Sequence, residues 1–229
     1  MKIKVLKDIT TANDAIAAQN RQLLDEHNIL TINLMSSPGA GKTSLILQTI
    51  KHFKNRVRLG VIEGDVASKI DADRISKERI PVVQINTGGS CSLEAHMIGT
   101  ALRKLPLKGI DVLLVENVGN LICPAEFALG EHKKAVIASI PEGDDKPAKY
   151  PVIFTEADAV VINKLDMLPH FDFDLSRFRK HIQGLNPKVA IFEVSCRTGE
   201  GIAGWCAWLS RQAKRKHKRS LYVPSPEGG

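Results

Sequence analysis

The stretch from Thr31 to Thr43, Thr-Ile-Asn-Leu-Met-Ser-Ser-Pro-Gly-Ala-Gly-Lys-Thr, constrains this chain more than any other. An apolar run at Ile32, Leu34 and Met35 reads as a short buried strand. A Pro/Gly turn follows, and Lys42 and Thr43 open an amphipathic segment with Leu45, Ile46 and Ile50. Strand, glycine loop and helix in that order make a phosphate cradle. Gly39 and Gly41 let the backbone approach an anion, and the N–H groups of Gly39, Ala40, Gly41, Lys42, Thr43 and Ser44 surround it at the positive end of a helix. Lys42 reaches the terminal phosphates and the Thr43 hydroxyl is placed to hold Mg²⁺. The loop departs from the usual pattern once: Ser36 stands where the first glycine would be.

Further apolar runs recur at 57–62, 80–85, 110–115, 134–140, 158–162 and 189–194, mostly separated by helix-like stretches. That alternation predicts an α/β fold, a doubly wound and mostly parallel sheet of about seven strands. With 43% hydrophobic residues, 229 residues suffice for one core. Residues 1–216 are expected to form a single P-loop domain with an N-terminal helix over 10–27 and a last helix over about 201–216. Residues 217–229 are expected to be a disordered tail, and Pro141–Pro151 a proline-rich loop.

Ligands of such sheets gather at the carboxyl ends of the strands, so the polar residues that close each apolar run are the candidates. Asp65 and Glu116 close two runs and, with Thr43, are the expected Mg²⁺ ligands. Asp65 is also the candidate for orienting an attacking water, beside Lys42. Asn163-Lys164-Leu165-Asp166 closes another run. There a carboxylate at Asp166 accepts from both the ring N1–H and the exocyclic amine of guanine, a pair adenine does not offer, while Lys164 lies along the ring. GTP is therefore expected over ATP. Ser195 and Cys196 follow the last strand, where a backbone N–H is expected against the guanine oxygen.

The formal charge of +7 suggests a nucleic-acid partner until it is located. Six basic residues between Arg211 and Arg219, less Glu227, hold five of these charges, which leaves +2 for residues 1–210. Basic residues at a helix C-terminus suit its dipole, and a solvated helix end explains the run more simply than a nucleic-acid contact. The N-terminus has no apolar signal segment, and no apolar run approaches the roughly 20 residues of a membrane span. A cytoplasmic protein without membrane contact is expected. Four cysteines without a C-x-x-C pair do not suggest a disulfide framework.

With these elements in place, residues 15–210 resemble the HypB family, the SIMIBI-class P-loop GTPases that incorporate nickel into [NiFe]-hydrogenase. The motifs behind the resemblance are Ser36–Thr43 with its serine, Glu63-Gly64-Asp65, Glu116–Pro124, Gly143–Pro147, Lys149-Tyr150-Pro151 and Asn163–Asp166. The resemblance implies a slow GTPase using GTP and Mg²⁺. It also implies a homodimer with Ni²⁺ or Zn²⁺ at its interface, and as partners a hydrogenase large-subunit precursor and other maturation proteins. The implied metal ligands are a Cys-His pair and the cysteine of a Cys-Pro motif. Here they become Cys91 and Cys123, and Ser92 replaces the histidine. Cys91 is expected at the start of a helix, whose dipole favours thiolate, with His96 one turn on as a possible substitute nitrogen. Two subunits would bring four thiolates together, which suits tetrahedral Zn²⁺. The alternative is a GTP-controlled protein-binding scaffold that has lost metal delivery.

Overall fold

The computed structural model describes residues 7–54, 56–65 and 70–220. In chain order its elements are α1 (Lys7–Glu26), β1 (Leu30–Ser36), α2 (Lys42–Phe53), β2 (Leu59–Asp65), α3 (Ile70–Ser76), β3 (Val82–Asn86), α4 (Ala95–Leu102) and β4 (Val112–Glu116). There follow α5 (Cys123–Glu126), β5 (Lys133–Ser139), α6 (Lys146–Lys149), α7 (Pro151–Thr155), β6 (Ala159–Asn163), α8 (Leu175–Leu185), β7 (Ala190–Glu193) and α9 (Ile202–Ser220). The strands make one sheet in the order β3-β2-β4-β1-β5-β6-β7. Each strand pairing between neighbours is parallel. From the central β1 the chain moves to one edge through β2 and β3, returns with β4, and then builds β5, β6 and β7 on the other side. The carboxyl ends of β1, β2, β4 and β6 therefore lie along one edge of the sheet, beside the place where the winding reverses.

Parallel strands covered on both faces need apolar side chains on both, and β1, β4 and β6 are buried at every position. One face carries Ile32, Leu34, Val61 and Leu114 against α2 and α9, including Leu45, Ile46, Trp205 and Leu209. On the other, Val136, Val160 and Ile162 pack with Phe154 and Phe178 from α7 and α8, and Ile62, Leu113 and Val115 with Leu24, Ile98 and Leu102 from α1 and α4.

Helix α1 is fastened by buried amides as well as by its apolar stripe. Asn13 Oδ1 accepts the N–H of Ala95, the first residue of α4, at 2.9 Å, and its Nδ2 donates to Ala128 O at 2.8 Å. Asn20 Nδ2 donates to Ala95 O and Leu129 O, at 2.8 and 3.1 Å.

Two expectations change. Residues 141–151 are not simply a loop, because α6 and α7 lie in and beyond them. Pro147 and Pro151 sit in the first turns, where a missing N–H breaks no helical bond. Helix α9 also continues to Ser220, past the expected end at 216, and Lys216 reaches the Asp25 carboxylate at the end of α1. Residues 221–229 of the expected disordered tail lie outside the described residues.

Candidate functional site

The loop between β1 and α2 holds its shape because glycine stands where other residues do not fit. Gly39 and Gly41 have φ of +76° and +104°, and a Cβ on Gly41 would lie 2.3 Å from Asn163 Nδ2. That amide is a fixed strut, donating to Ala40 O at 2.8 Å while its Oδ1 accepts the Cys196 N–H at 3.1 Å. The Cys196 N–H, one of those in the segment expected against guanine, is thus engaged by Asn163. Lys164 Nζ donates to Gly39 O at 2.8 Å, across the loop. Asp166, whose side chain is 15% exposed, accepts from Ser195 Oγ at 2.5 Å and faces Arg197 at 3.7 Å. The loop and the ends of β6 and β7 therefore form one hydrogen-bonded unit.

The serine in place of glycine has a visible use. Lys42 Nζ donates to Ser36 Oγ at 2.9 Å, and Ser36 Oγ donates in turn to Ser37 O. Burial lowers the pKa of Lys42, and the Glu116, Glu142, Asp71 and Asp65 carboxylates act against that. Behind the loop, Gly119 permits a close pass: a Cβ there would stand 2.9 Å from the Pro38 backbone.

The Thr43 hydroxyl donates to Glu116 Oε1 at 2.8 Å. Glu116 is in register with Glu63 of β2, so the two side chains share a face, and the two-residue period puts Asp65 on it as well. Burial, then the Glu116 charge, lifts the Glu63 carboxyl to about 8. Burial lifts Glu116 to about 7, against the pull of Lys42 and Thr43. Oε2 of each is buried without a hydrogen-bond partner. Glu63 was missed as a candidate. Its signal was its place two residues before Asp65 on a strand that adjoins the Glu116 strand.

The Thr43 hydroxyl bonded to Glu116, with an orphaned buried oxygen on Glu116 and another on Glu63, fits a hard divalent cation such as Mg²⁺, although among the described residues the Glu63, Asp65 and Glu116 carboxylates are not gathered closely enough to hold an ion by themselves.

The thiols are placed differently from expectation. Helix α4 begins at Ala95, so Cys91, itself exposed, lies in the loop before it and takes no helix dipole. Cys123 opens the four-residue α5. The Cys91 thiol lies beside that of Cys123, and its proximity together with burial raises the pKa of Cys123. Asn120 Nδ2 also donates to Cys123 Sγ, at 3.6 Å. Ser92 is buried, and the exposed His96 faces Glu94 at 3.4 Å. Among the described residues no group of three His, Cys, Asp or Glu side chains is gathered to hold a metal, so His96 does not complete the pair. Cys206 is core and Cys196 half-buried, and burial pushes both thiols up to about 12.

This geometry has close relatives. The family model described as the CobW/HypB/UreG nucleotide-binding domain matches residues 30–193. The hydrogenase maturation factor HypB of Rhizobium leguminosarum bv. viciae is 46% identical over 218 residues, which are 95% of this chain and 73% of that protein. This chain belongs to the HypB family. Among solved HypB structures, that from Archaeoglobus fulgidus superposes with a TM-score of 0.84 at 39% identity, covering 89% of this chain and 99% of that one. HypB from Helicobacter pylori, solved in complex with nickel, gives 0.85 at 38% identity over 89% and 96%. The span matched by the family model runs from the first residue of β1 to the last of β7 and takes in Glu63, Glu116, both thiols and Asp166. Among the described residues no helix is long and apolar enough to cross a membrane.

Proposed function

We propose that this HypB-family chain is a slow GTPase that gates delivery of nickel to a [NiFe]-hydrogenase precursor in the cytoplasm, together with other maturation proteins. The observation that carries the reading is one strand end with two kinds of donor. Glu116, bonded to Thr43 and left with an orphaned oxygen, closes β4, and the segment leaving β4 brings Cys123 to Cys91.

The backbone N–H groups from Gly39 to Ser44 hold the phosphates, and Lys42 leaves Ser36 to bind the terminal ones. Asp166, with Lys164 along the ring, selects guanine; Asn163 keeps this base site in register with the loop, and Ser195 and Cys196 form its wall. Thr43, Asp65 and Glu116 would hold Mg²⁺, which when bound spreads the charge that develops on the transferred phosphoryl group. Asp65 orients a water oxygen toward the γ-phosphorus as the bond to the bridging β-γ oxygen breaks. Lys42 stabilises the charge that moves onto the phosphates.

The cargo, Ni²⁺ or Zn²⁺, is held by Cys91 and Cys123 and by the same pair from a second copy. Ile122 and Val152 are 57% and 59% exposed on neighbouring elements beside Cys123, which supports a homodimer there. A second reading is favoured by the buried Ser92 and the absent third ligand: a GTP-controlled scaffold that no longer delivers metal.

Titration of the metal-free protein with Ni²⁺ and Zn²⁺, in GDP and in a non-hydrolysable GTP analogue, separates these readings. Metal delivery predicts about one tightly bound ion per dimer, lost in Cys91→Ala. Nucleotide-dependent dimerisation without such binding establishes the scaffold.

A further inference from the structure

Directly after Glu116 comes Asn117, wholly buried, with its N–H and both side-chain polar atoms engaged. Its N–H donates to Leu34 O of β1 at 3.0 Å. Its Oδ1 accepts two N–H groups at 2.9 Å, from Val118 and from Leu93, which lies two residues beyond Cys91. Its Nδ2 donates to Asn33 Oδ1 of β1 at 3.2 Å, and Asn33 in turn donates to Glu131 Oε1 at 3.5 Å. One side chain therefore joins the strand that ends in the Glu116 carboxylate, the strand that feeds the phosphate loop, and the loop that carries the exposed thiol. The chain leaving Asn117 passes against Pro38 of the phosphate loop at Gly119 before it reaches Cys123. Both thiols thus hang from one residue adjacent to the cation end of the nucleotide pocket.

Building on the proposed function, we propose that Asn117 is the positioning residue through which the nucleotide state sets the geometry of the Cys91–Cys123 pair. A buried amide that accepts from the Leu93 N–H leaves that loop few alternatives, because breaking the bond strands a donor out of reach of water. A small displacement of the end of β4, when Glu116 exchanges its Thr43 hydrogen bond for a bound cation, passes to Leu93 through the Asn117 Oδ1 atom. It does not pass by the outer anchor of the same loop, where Asn13 holds the Ala95 N–H and has no contact with β4 among its hydrogen bonds.

That contrast supplies the experiment. Nickel affinity is measured in GDP and in a non-hydrolysable GTP analogue for the wild type, Asn117→Leu, Asn117→Asp and Asn13→Ala, each with its melting temperature. A wild-type ratio between the two states on the order of tenfold is expected, within the usual range of coupling between sites. Asn117→Leu should bring it to within about twofold of unity while guanine-nucleotide binding persists. Asn117→Asp keeps an acceptor for both N–H groups and should restore most of the ratio. Asn13→Ala should melt earlier and keep the ratio.

If the wild type discriminates and Asn117→Leu does so equally, this inference is overturned and the proposed function stands. If the wild type itself does not discriminate, the proposed function fails and takes this inference with it. Should Asn117→Leu not fold, hydrogen exchange of the Leu93 amide in the wild type decides. Protection that differs between the nucleotide states supports the assignment, and equal protection overturns it.

Discussion

The proposed base-binding half of the site and its proposed cation-binding half are finished to different degrees. Around Asn163 the polar groups already have partners: the Asn163 amide spans from Ala40 to Cys196, Lys164 is tied to Gly39, and Asp166 to Ser195. At the ends of β2 and β4 the reverse holds. Two carboxylates stand in register with an orphaned oxygen each, and their pKa values lie well above the carboxylate range. A pocket that receives a neutral flat base can be pre-organised by bonds within the protein. One that receives a cation must keep negative oxygen unspent, and its stability bears the cost until the cation arrives.

The hardest test of that division is Lys42→Ala, which removes the buried ammonium of the phosphate loop between the halves. GTP turnover should fall on the order of 10²–10³-fold, as for the loss of one transition-state donor, while circular dichroism stays unchanged. A fall of less than about fivefold would move the catalytic role elsewhere.

The unspent carboxylates give a pH signature. Glu63 and Glu116 hold protons in the folded protein up to about 8 and about 7, against 4.5 for the unpaired group. The folded state therefore binds more protons than the unfolded one through this window, and stability must fall as pH rises from about 4.5 to 8. In Mg²⁺-free buffer Glu63→Gln should melt on the order of 5 °C above the wild type at pH 8, with the gap closing toward pH 5. Parallel melting curves across that range would show that the pair carries no such penalty.

The smallest effect belongs to the scaffold beneath both halves. The Trp205 indole N–H donates to the buried Thr49 hydroxyl at 3.0 Å. Thr49→Val strands that donor and should cost about 1–3 kcal/mol in chemical denaturation. GTP affinity measured under native conditions should change less than twofold; a larger change would join the core of α2 to the site.

What could be read from the sequence was what repeats locally. The strand-loop-helix at 31–43, the run ending at Asn163 and the carboxylates at Asp65 and Glu116 were all legible, because strand periodicity and turn chemistry act between near neighbours. The start of α4 was not. Residues 91–94 carry no local stop, and the helix begins at Ala95, whose N–H is taken by Asn13 from 82 residues away. Cys91 was misplaced for that reason. Glu63 stayed hidden because its meaning depends on register with Glu116, a property of the assembled sheet. Asn117 carried no role of its own in the sequence, since its partners lie on segments 24 and 84 residues distant.

The same long reach has a consequence for how the molecule is made. Asn13 is translated before its partners: Ala128 lies 115 residues later, and the Lys216 contact with Asp25 spans 191. During synthesis α1 is made with buried-type amides whose first partner, Ala95, follows 82 residues after Asn13 and 75 after Asn20, and whose set is complete only with Ala128 and Leu129. The native bonds that dock α1 are therefore available only after β1 to β4 have been made. Its docking, sealed by the last helix, is then a late event of folding.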